Sequence, residues 1–144
     1  MDKRLPHDLH ADPHAGRILP VVVIAAFNKA GETLFLRRRN NPYSGYWELA
    51  GGRLEFGETL ESAARRELYE ETGIKATKML FVRAYEQHMP NYHRLLFLFA
   101  CRSRTDKVTL TEQSGYKWSK KIPGKVIPVV RNMVPDAKRV LLRQ

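Results

Sequence analysis

Two apolar runs near the start of the chain have the length and composition of β-strands. The segment PVVVIAAF, residues 20–27, is rich in β-branched side chains, and TLFLRRR, residues 33–39, follows it after the turn-forming residues NKAGE. A second pair of runs, KMLFVRAYEQ and HRLLFLFACRS, flanks HMPNY in the same way. The pattern therefore predicts two antiparallel pairs, with YWELA and YKWS as further short extended pieces.

Between the two pairs, the spacing of apolar residues changes to that of a helix. Apolar side chains recur every four positions from Leu60 to Leu68, which makes one helical face apolar. Thr59 is suited to cap the first turn, and Gly73 is suited to the position where the chain leaves the helix. The sequence therefore predicts a helix over residues 60–72.

A second helix is predicted near the C-terminus, in the segment GKVIPVVRNMVP. Pro128 lies within this segment, so we expect it near the start of the helix or at a kink. Strands interleaved with one or two helices favour a mixed α/β sandwich over a regular ladder of alternating strands and helices.

The bulk composition indicates one globular domain. The chain has 144 residues, of which 43% are hydrophobic and 28% charged. Its apolar runs are about half of the roughly 20 residues that a membrane-spanning helix requires. The polar segment over residues 1–17, with His7, His10 and His14, does not resemble a secretory signal, so we expect a flexible N-terminal segment, a domain over residues 18–144 and a cytoplasmic protein.

The single cysteine, Cys101, lies inside an apolar run and has no second cysteine with which to form a disulfide. We therefore expect a buried, structural thiol.

The positive charge of the chain is concentrated in its last third. Of the formal net charge of +10, residues 101–144 carry +8, with 11 Lys and Arg against 3 Asp and Glu. Such a surplus attracts polyanions such as nucleotides, RNA or an anionic membrane, although it is equally typical of a solvated basic face.

Within this basic chain, the predicted helix carries a cluster of acidic residues. Glu67, Glu70 and Glu71 lie three or four positions apart, so they converge on the side of the helix opposite its apolar face. One interpretation is a solvated acidic stripe that Arg65 and Arg66 neutralise. The other is that three mutually repelling carboxylates hold a cation.

The residues before the helix favour the second interpretation. From Gly52 to Ile74 the chain reads GRLEFGETLESAARRELYEETGI, which matches the pattern G-x5-E-x7-R-E-U-x-E-E-x-G-U, where U is aliphatic. This pattern is the Nudix box, so the protein resembles the Nudix hydrolases. The resemblance implies an α/β/α sandwich with a central mixed β-sheet, and hydrolysis of a nucleoside diphosphate linked to another moiety, with Mg²⁺ or Mn²⁺.

The resemblance also implies roles for individual residues. The expected metal ligands are the three box glutamates, the Gly51 carbonyl and an acid from a late loop: Glu67, Glu70, Glu71, Gly51 and Glu112. Hard carboxylate oxygens open to solvent suit Mg²⁺. Arg66 is expected to orient this cluster through ion pairs, Glu58 to lie at its outer edge, and either Glu67 or Glu70 to accept the proton from the attacking water.

The stretch YWELAGGRLEFGET is similar to the matching segment of MutT-type nucleoside triphosphate pyrophosphohydrolases, except that Ala50 stands where many relatives have proline. Candidate substrate contacts are three aromatic residues and one arginine: Phe27, Trp47, Tyr85 and Arg37. His88 and His93 flank a turn near the expected cleft and are weaker candidates, as is Glu86 for the metal.

Three hypotheses for function follow. The first is a Mg²⁺-dependent, MutT-like enzyme that cleaves a nucleoside triphosphate to the monophosphate and pyrophosphate. The second is another Nudix activity, on ADP-ribose or nucleotide sugars, dinucleoside polyphosphates or the 5′ end of RNA, which the basic last third favours slightly. The third is a nucleotide-binding regulator without catalysis. A homodimer is a further expectation from the family.

Overall fold

The computed structural model describes residues 13–144 as a seven-stranded sheet with two helices. The strands are β1 (Ile18–Phe27), β2 (Thr33–Arg37), β3 (Trp47–Glu48), β4 (Ala50–Arg53), β5 (Met79–His88), β6 (His93–Arg102) and β7 (Gly115–Ser119). The helices are α1 (Leu60–Thr72) and α2 (Val130–Leu142). Both predicted hairpins and both short strands are therefore present.

Strand β1 lies at the centre of the sheet and makes it mixed. It pairs with β6 in parallel, in a register that runs from Ile18 opposite His93 to Phe27 opposite Arg102. On its other side it pairs antiparallel with β2 and β4. Both faces of β1 are covered in its second half, which is why this strand is an almost continuous apolar run.

The two helices pack on opposite faces of the sheet. Ala63, Ala64 and Leu68 of α1 are fully buried in one hydrophobic cluster, together with Leu36 and other sheet residues. Helix α2 buries Met133 in a second cluster on the other face. Because side chains alternate along a strand, β1 contributes to both clusters. The predicted α/β/α sandwich with a central mixed sheet is confirmed.

Helix α1 begins and ends where the sequence predicts. The Thr59 hydroxyl accepts a hydrogen bond from the Ser62 N–H at 3.1 Å, and the Ser62 hydroxyl accepts one from the Thr59 N–H at 3.0 Å. At the other end Gly73 has φ of 76°, a left-handed conformation that favours glycine. These two ends set the position of the glutamates relative to the sheet.

The prediction for the second helix was wrong in its bounds. The helix begins at Val130, two residues after Pro128, and continues through Pro135 to Leu142. The predicted segment ends at Pro135, but the helix continues beyond this residue and buries Ala137 and Leu141. Packing of this apolar face against the sheet outweighs the interior proline.

Two further expectations concern Cys101 and the N-terminal segment. Cys101 is fully buried, and its burial raises the pKa of the thiol to about 12, as expected for a structural cysteine. His14 and Gly16 contact the β5–β6 turn, where the Gly16 N–H donates to the Asn91 carbonyl at 2.7 Å. The expected flexible segment otherwise lies outside the described residues, as do His7 and His10.

No helix within residues 13–144 is long and apolar enough to cross a membrane.

Candidate active site

Strand β4, which pairs with β1, brings a glycine against a glutamate of α1. A Cβ atom at Gly52 would lie only 2.3 Å from the carboxylate carbon of Glu67, so the missing side chain makes the space that this carboxylate occupies. The Glu67 side chain is 15% exposed. The first glycine of the motif therefore places a carboxylate against the sheet edge.

Arg66 is the centre of the ion-pair network. Its guanidinium binds Glu58 through two nitrogens, at 2.6 and 2.9 Å. It also donates to Glu67 at 2.8 Å and to Glu70 at 3.1 Å, and to the Arg53 carbonyl at 3.2 Å. The geometry agrees with the expected orienting role, because one planar fork fixes several carboxylates at once.

These ion pairs shift the pKa values of the groups involved. Hydrogen bonding to Arg66 lowers the pKa of Glu58, and hydrogen bonding to Glu58 raises the pKa of Arg66 further. Glu67 behaves differently, because burial raises the pKa of its carboxyl more than Arg66 lowers it. Glu70, at 56% side-chain exposure, faces solvent.

Glu71 lies deeper than the other two box glutamates. One carboxylate oxygen accepts from the Gly51 N–H at 2.7 Å, and the other accepts from the side-chain amide of Gln113. Burial nevertheless raises the pKa of Glu71 to about 8, with a further contribution from the negative charges of Glu67 and Glu48. Negative charge is therefore in excess at this end of α1.

Gln113 was missed by sequence reasoning, which selected its neighbour Glu112. Gln113 is 7% exposed and contacts Glu71 directly, whereas Glu112 is exposed and lines the cleft described below. Both residues line the cleft, and the local sequence carries no signal that Gln113 is the one that contacts Glu71.

The donor chemistry of this cluster fits a hard divalent cation. Glu67, Glu70 and Glu71 supply carboxylate oxygens, and burial and mutual repulsion raise the pKa of the two inner ones. Within residues 13–144, no group of three His, Cys, Asp or Glu side chains has the arrangement of a metal site. Each of the three has an oxygen engaged by Arg66, Gly51 or Gln113.

A cleft of about 510 Å³ opens beside this cluster and reaches it at Gly51, Gly52 and Glu71. The apolar residues that line the cleft include Leu19, Val21, Val23, Leu96, Ile127 and Met133. Its charged and polar lining residues include Arg38, Arg39, Arg53, Arg94, Glu48 and Gln87. Cations beside an acidic cluster, with an apolar wall, suit a ligand that has both phosphates and a ring system.

The charged groups in the cleft are partly paired. Arg38 donates to Glu48 at 2.9 Å, and burial raises the pKa of the Glu48 carboxyl despite this pairing. Arg94 donates to the Gln87 side chain at 3.5 Å and lies over the Tyr92 ring. Two arginines of the cleft are thus held in place by neutral or singly charged partners.

None of the four predicted substrate contacts lines this cleft. Phe27 is 3% exposed in the second hydrophobic cluster, so the prediction for this ring was wrong. Tyr85 lies toward α2, where its hydroxyl donates to Asp136 at 2.5 Å. Arg37 bonds to Ser114 and lies over Trp47, outside the cleft lining. The residue next along the chain, Arg38, lines it instead.

The histidine candidates divide in the same way. His14, in the segment expected to be flexible, lines the cleft and packs edge-on against Tyr92. His88 and His93 flank the β5–β6 turn as predicted, with their rings stacked 3.9 Å apart, but neither lines the cleft.

Comparison with known proteins agrees with this geometry. The family model described as the NUDIX domain matches residues 17–124. A Bacillus subtilis (strain 168) protein, named provisionally as an 8-oxo-dGTP diphosphatase, is 32% identical over 116 residues, which are 81% of this chain and 72% of the relative. An ADP-ribose pyrophosphatase of Methanocaldococcus jannaschii is 37% identical over 81 residues, covering 55% of this chain and 48% of the relative.

Solved structures give the same result for the fold. A MutT protein from Methanosarcina mazei Go1 superposes with a TM-score of 0.76 at 25% identity, over 86% of this chain and 95% of that one. The NUDIX domain of Shewanella oneidensis NrtR, solved with ADP ribose, superposes with a TM-score of 0.69 at 17% identity, over 98% and 99%. The chain therefore belongs to the Nudix family, as a MutT-like member and a hydrolase of the pyrophosphohydrolase kind.

Proposed function

We propose that the protein hydrolyses nucleoside triphosphates to the monophosphate and pyrophosphate, with a divalent cation held at the end of α1. The observation that carries the proposal is the contact between the acidic cluster and the cleft. Glu71 and Gly51 belong to both, so a ligand in the cleft has its charged end at the glutamates. The volume of about 510 Å³ falls in the range of pockets that enclose one small organic ligand.

The cation would be held by Glu67, Glu70 and Glu71, with the Gly51 carbonyl and Glu112 as further oxygen donors. When bound, Mg²⁺ or Mn²⁺ would neutralise phosphate charge and lower the pKa of the attacking water. Glu112 lines the same cleft, which is consistent with this role.

The side chains of the protein would do three things in this reaction. Arg66 keeps Glu67 and Glu70 in place through its ion pairs at 2.8 and 3.1 Å. Glu67 or Glu70 accepts the proton from water as the oxygen attacks phosphorus. As the new phosphorus–oxygen bond forms, the bond from that phosphorus to the oxygen bridging the α- and β-phosphates breaks. The departing monophosphate or pyrophosphate would lie among the cleft arginines, which would stabilise the charge that develops on it.

The choice of a nucleoside triphosphate is supported by the resemblance of YWELAGGRLEFGET to the MutT segment and by the relative named for 8-oxo-dGTP. The relative named for ADP-ribose supports a second candidate, ADP-ribose hydrolysis. The two differ in where the ring systems lie, because ADP-ribose places a sugar on the far side of the pyrophosphate.

A parallel turnover assay with Mg²⁺ would test the choice. The substrates are nucleoside triphosphates with and without an oxidised base, ADP-ribose, a dinucleoside polyphosphate and 5′-triphosphorylated RNA. We expect the highest kcat/KM for a nucleoside triphosphate, with pyrophosphate as product. Release of orthophosphate from the triphosphates, or a higher kcat/KM for ADP-ribose, would overturn the proposal.

Two variants test the assignment of the glutamates. Glu70→Gln and Glu71→Gln should each lower kcat by at least about 100-fold, while Glu61→Gln on an exposed face of α1 should not. Unchanged turnover in both of the first two variants would refute the site.

A further inference from the structure

A second concavity lies between β5 and α2, outside the cleft. Its volume is about 320 Å³, and none of its lining residues lines the cleft. We call it the arginine groove, and its lining residues come from these two elements: Arg83, Tyr85, Arg131, Asn132, Pro135, Asp136 and Arg139. Three arginines against one aspartate give this groove a formal charge of 3 − 1 = +2.

A β-bulge directs Arg83 into the groove. Leu80 and Val82, before the bulge, pack against the second hydrophobic cluster, on the α2 face of the sheet. With regular alternation, residue 83 would lie on the opposite face. The register of β5 against β6 shifts between Phe81 and Arg83, and beyond this shift Arg83 and Tyr85 both line the groove. The irregularity thus brings a cation to the face that α2 covers.

The other wall of the groove is one face of α2. Arg131, Pro135 and Arg139 follow one another at intervals of four residues, and so do Asn132 and Asp136. Residues at this spacing lie on the same side of a helix. Two arginines of α2 therefore face Arg83 across the groove.

Asp136 holds two of the three arginines in place. Its side chain is 15% exposed, accepts from the Tyr85 hydroxyl at 2.5 Å and forms an ion pair with Arg139. The Arg83 guanidinium lies 3.8 Å from the same carboxylate and 5.0 Å from the centre of the Tyr85 ring. Cations that are already positioned lose less conformational entropy when a ligand binds.

Arg131 supplies positive charge that no carboxylate balances. Its guanidinium donates to the Gly124 carbonyl at 2.7 Å, and no acidic side chain of the described part of the chain lies within 4.0 Å of it. A guanidinium has five N–H donors, and the bonds to Gly124 and Asp136 each use one. Arg131 and Arg139 therefore keep donors for an oxyanion.

We propose that the arginine groove binds a phosphate group, as inorganic phosphate or as a small phosphate ester. A phosphate carries close to two negative charges at neutral pH, which matches the charge of the groove, whereas a carboxylate carries one. Its oxygens also accept the paired N–H donors of a guanidinium. This site goes beyond the proposed function, because the reacting phosphates lie in the cleft, which has arginines of its own.

Binding can be followed at the groove itself by NMR. Inorganic phosphate is titrated into the full chain in EDTA at neutral pH and constant ionic strength, and the signals recorded are the backbone amides of residues 132–139. These signals should shift along a saturable curve. Arg83→Gln/Arg131→Gln should weaken binding about tenfold or more, because it removes two cations and leaves Asp136 its contacts with Tyr85 and Arg139.

The matched control removes the same charge elsewhere. Arg102 and Arg104 are exposed at the end of β6 and just after it, and neither lines the groove. Arg102→Gln/Arg104→Gln should bind phosphate with an affinity within about twofold of the parent protein, since distant exposed charges are screened by salt. Thermal melts establish that both double variants are folded.

Two further ligands define the chemistry. Ribose 5-phosphate should bind in the same groove, and the tighter of the two phosphates identifies the source of the group. Acetate should bind at least about tenfold more weakly, because it carries half the charge.

Three results would overturn the proposal: groove signals that do not saturate, equal losses of affinity in the two double variants, and acetate that binds as tightly as phosphate. The last would indicate a carboxylate ligand instead. Because binding is read in EDTA at signals of α2, none of these results depends on whether the proposed function is correct.

Discussion

Replacing Glu71 with glutamine should make the protein without metal more stable at neutral pH. The Glu71 carboxyl has a pKa raised from 4.5 to about 8 because the side chain is buried beside other carboxylates. Between these two values the folded protein keeps the proton and the unfolded chain loses it. Stability is therefore lost as pH rises from about 4.5 to about 8 and is unaffected by this group below that range.

The size of the effect follows from the two pKa values. Each pH unit above 4.5 lowers the free energy of unfolding by about 1.4 kcal/mol, which gives about 3 kcal/mol at pH 7. Glu71→Gln removes this penalty, since an amide does not titrate. For a domain of this length, about 3 kcal/mol corresponds to a rise in Tm of about 10 °C.

The surroundings of Glu71 can accept an amide. The Gly51 N–H can donate to the new carbonyl oxygen as it does to the carboxylate. Gln113 now donates through its Nε2, while its own Oε1 is buried with no hydrogen-bond partner. Reversal of the Gln113 amide would let that oxygen accept from the introduced amide. The Gln113 Nε2 would then take the buried position in which Oε1 has no partner, and this cost would offset part of the gain in stability.

The assay is thermal unfolding in EDTA from pH 5 to pH 8.5, for the parent protein, Glu71→Gln and Glu61→Gln. The variant should melt higher than the parent above pH 6, with a difference that shrinks toward pH 5. Glu61→Gln should shift the free energy of unfolding by at most about 0.5 kcal/mol at any pH, because Glu61 is an exposed partner of Arg65. Added Mg²⁺ should raise the Tm of the parent more than that of Glu71→Gln.

A lower or equal Tm for Glu71→Gln at pH 7.5, or a difference that does not change with pH, would refute the reasoning. Either result would mean that the carboxylate is not destabilised by its surroundings and that the excess of negative charge at the end of α1 is already compensated within the protein.

Three further predictions concern geometry and packing. Gly52→Ala should lower kcat at least about tenfold with a small loss of Tm, because the added Cβ displaces the flexible Glu67 side chain. The control is Gly124→Ala, whose added Cβ would have no atom within 4 Å, and it should match the parent protein in the same assays. Arg66→Lys should lower kcat about tenfold or more with near-parental far-UV circular dichroism, because an ammonium cannot replace the guanidinium fork, and parental kcat would contradict this. Leu68→Ala should lower the free energy of unfolding, measured by urea denaturation, by about 2–5 kcal/mol because Leu68 is fully buried. Leu142 is exposed, so Leu142→Ala should change this free energy by less than about 0.5 kcal/mol. Similar losses in the two variants would refute the packing of α1.

The parts of the site that lie on one element could be predicted from the sequence. The spacing of the box glutamates on α1 follows from helical geometry, and the bounds of that helix follow from Thr59 and Gly73, so the positions of the three glutamates on the helix could be predicted. Local rules were sufficient there because three or four residues separate the groups that meet.

The substrate side of the site depends on contacts between distant segments. Whether Arg37 or Arg38 faces the cleft is decided by the pairing of β2 with β3 and β7, which ends at Arg37. Gln113 reaches Glu71 only because the loop before β7 crosses the end of α1. Neither the strand pairing nor the Gln113 contact can be inferred from the local pattern of apolar and polar residues. The aromatic candidates therefore rest on residue type alone.

The last turn of α1 has an electrostatic property that follows from the direction of the helix. The carbonyl groups at the C-terminal end of a helix give it a partial negative charge, and proteins usually place lysine or arginine there. In α1 the last turn has no basic residue and contains Glu70 and Glu71. A divalent cation at this point would neutralise the helix dipole as well as the side chains, so amide hydrogen exchange in residues 69–73 should slow when Mg²⁺ is added. The ion would thus add positive charge to a helix end that Gly73 already caps through the Tyr69 carbonyl, and the same end of the helix would gain stability when the cation binds.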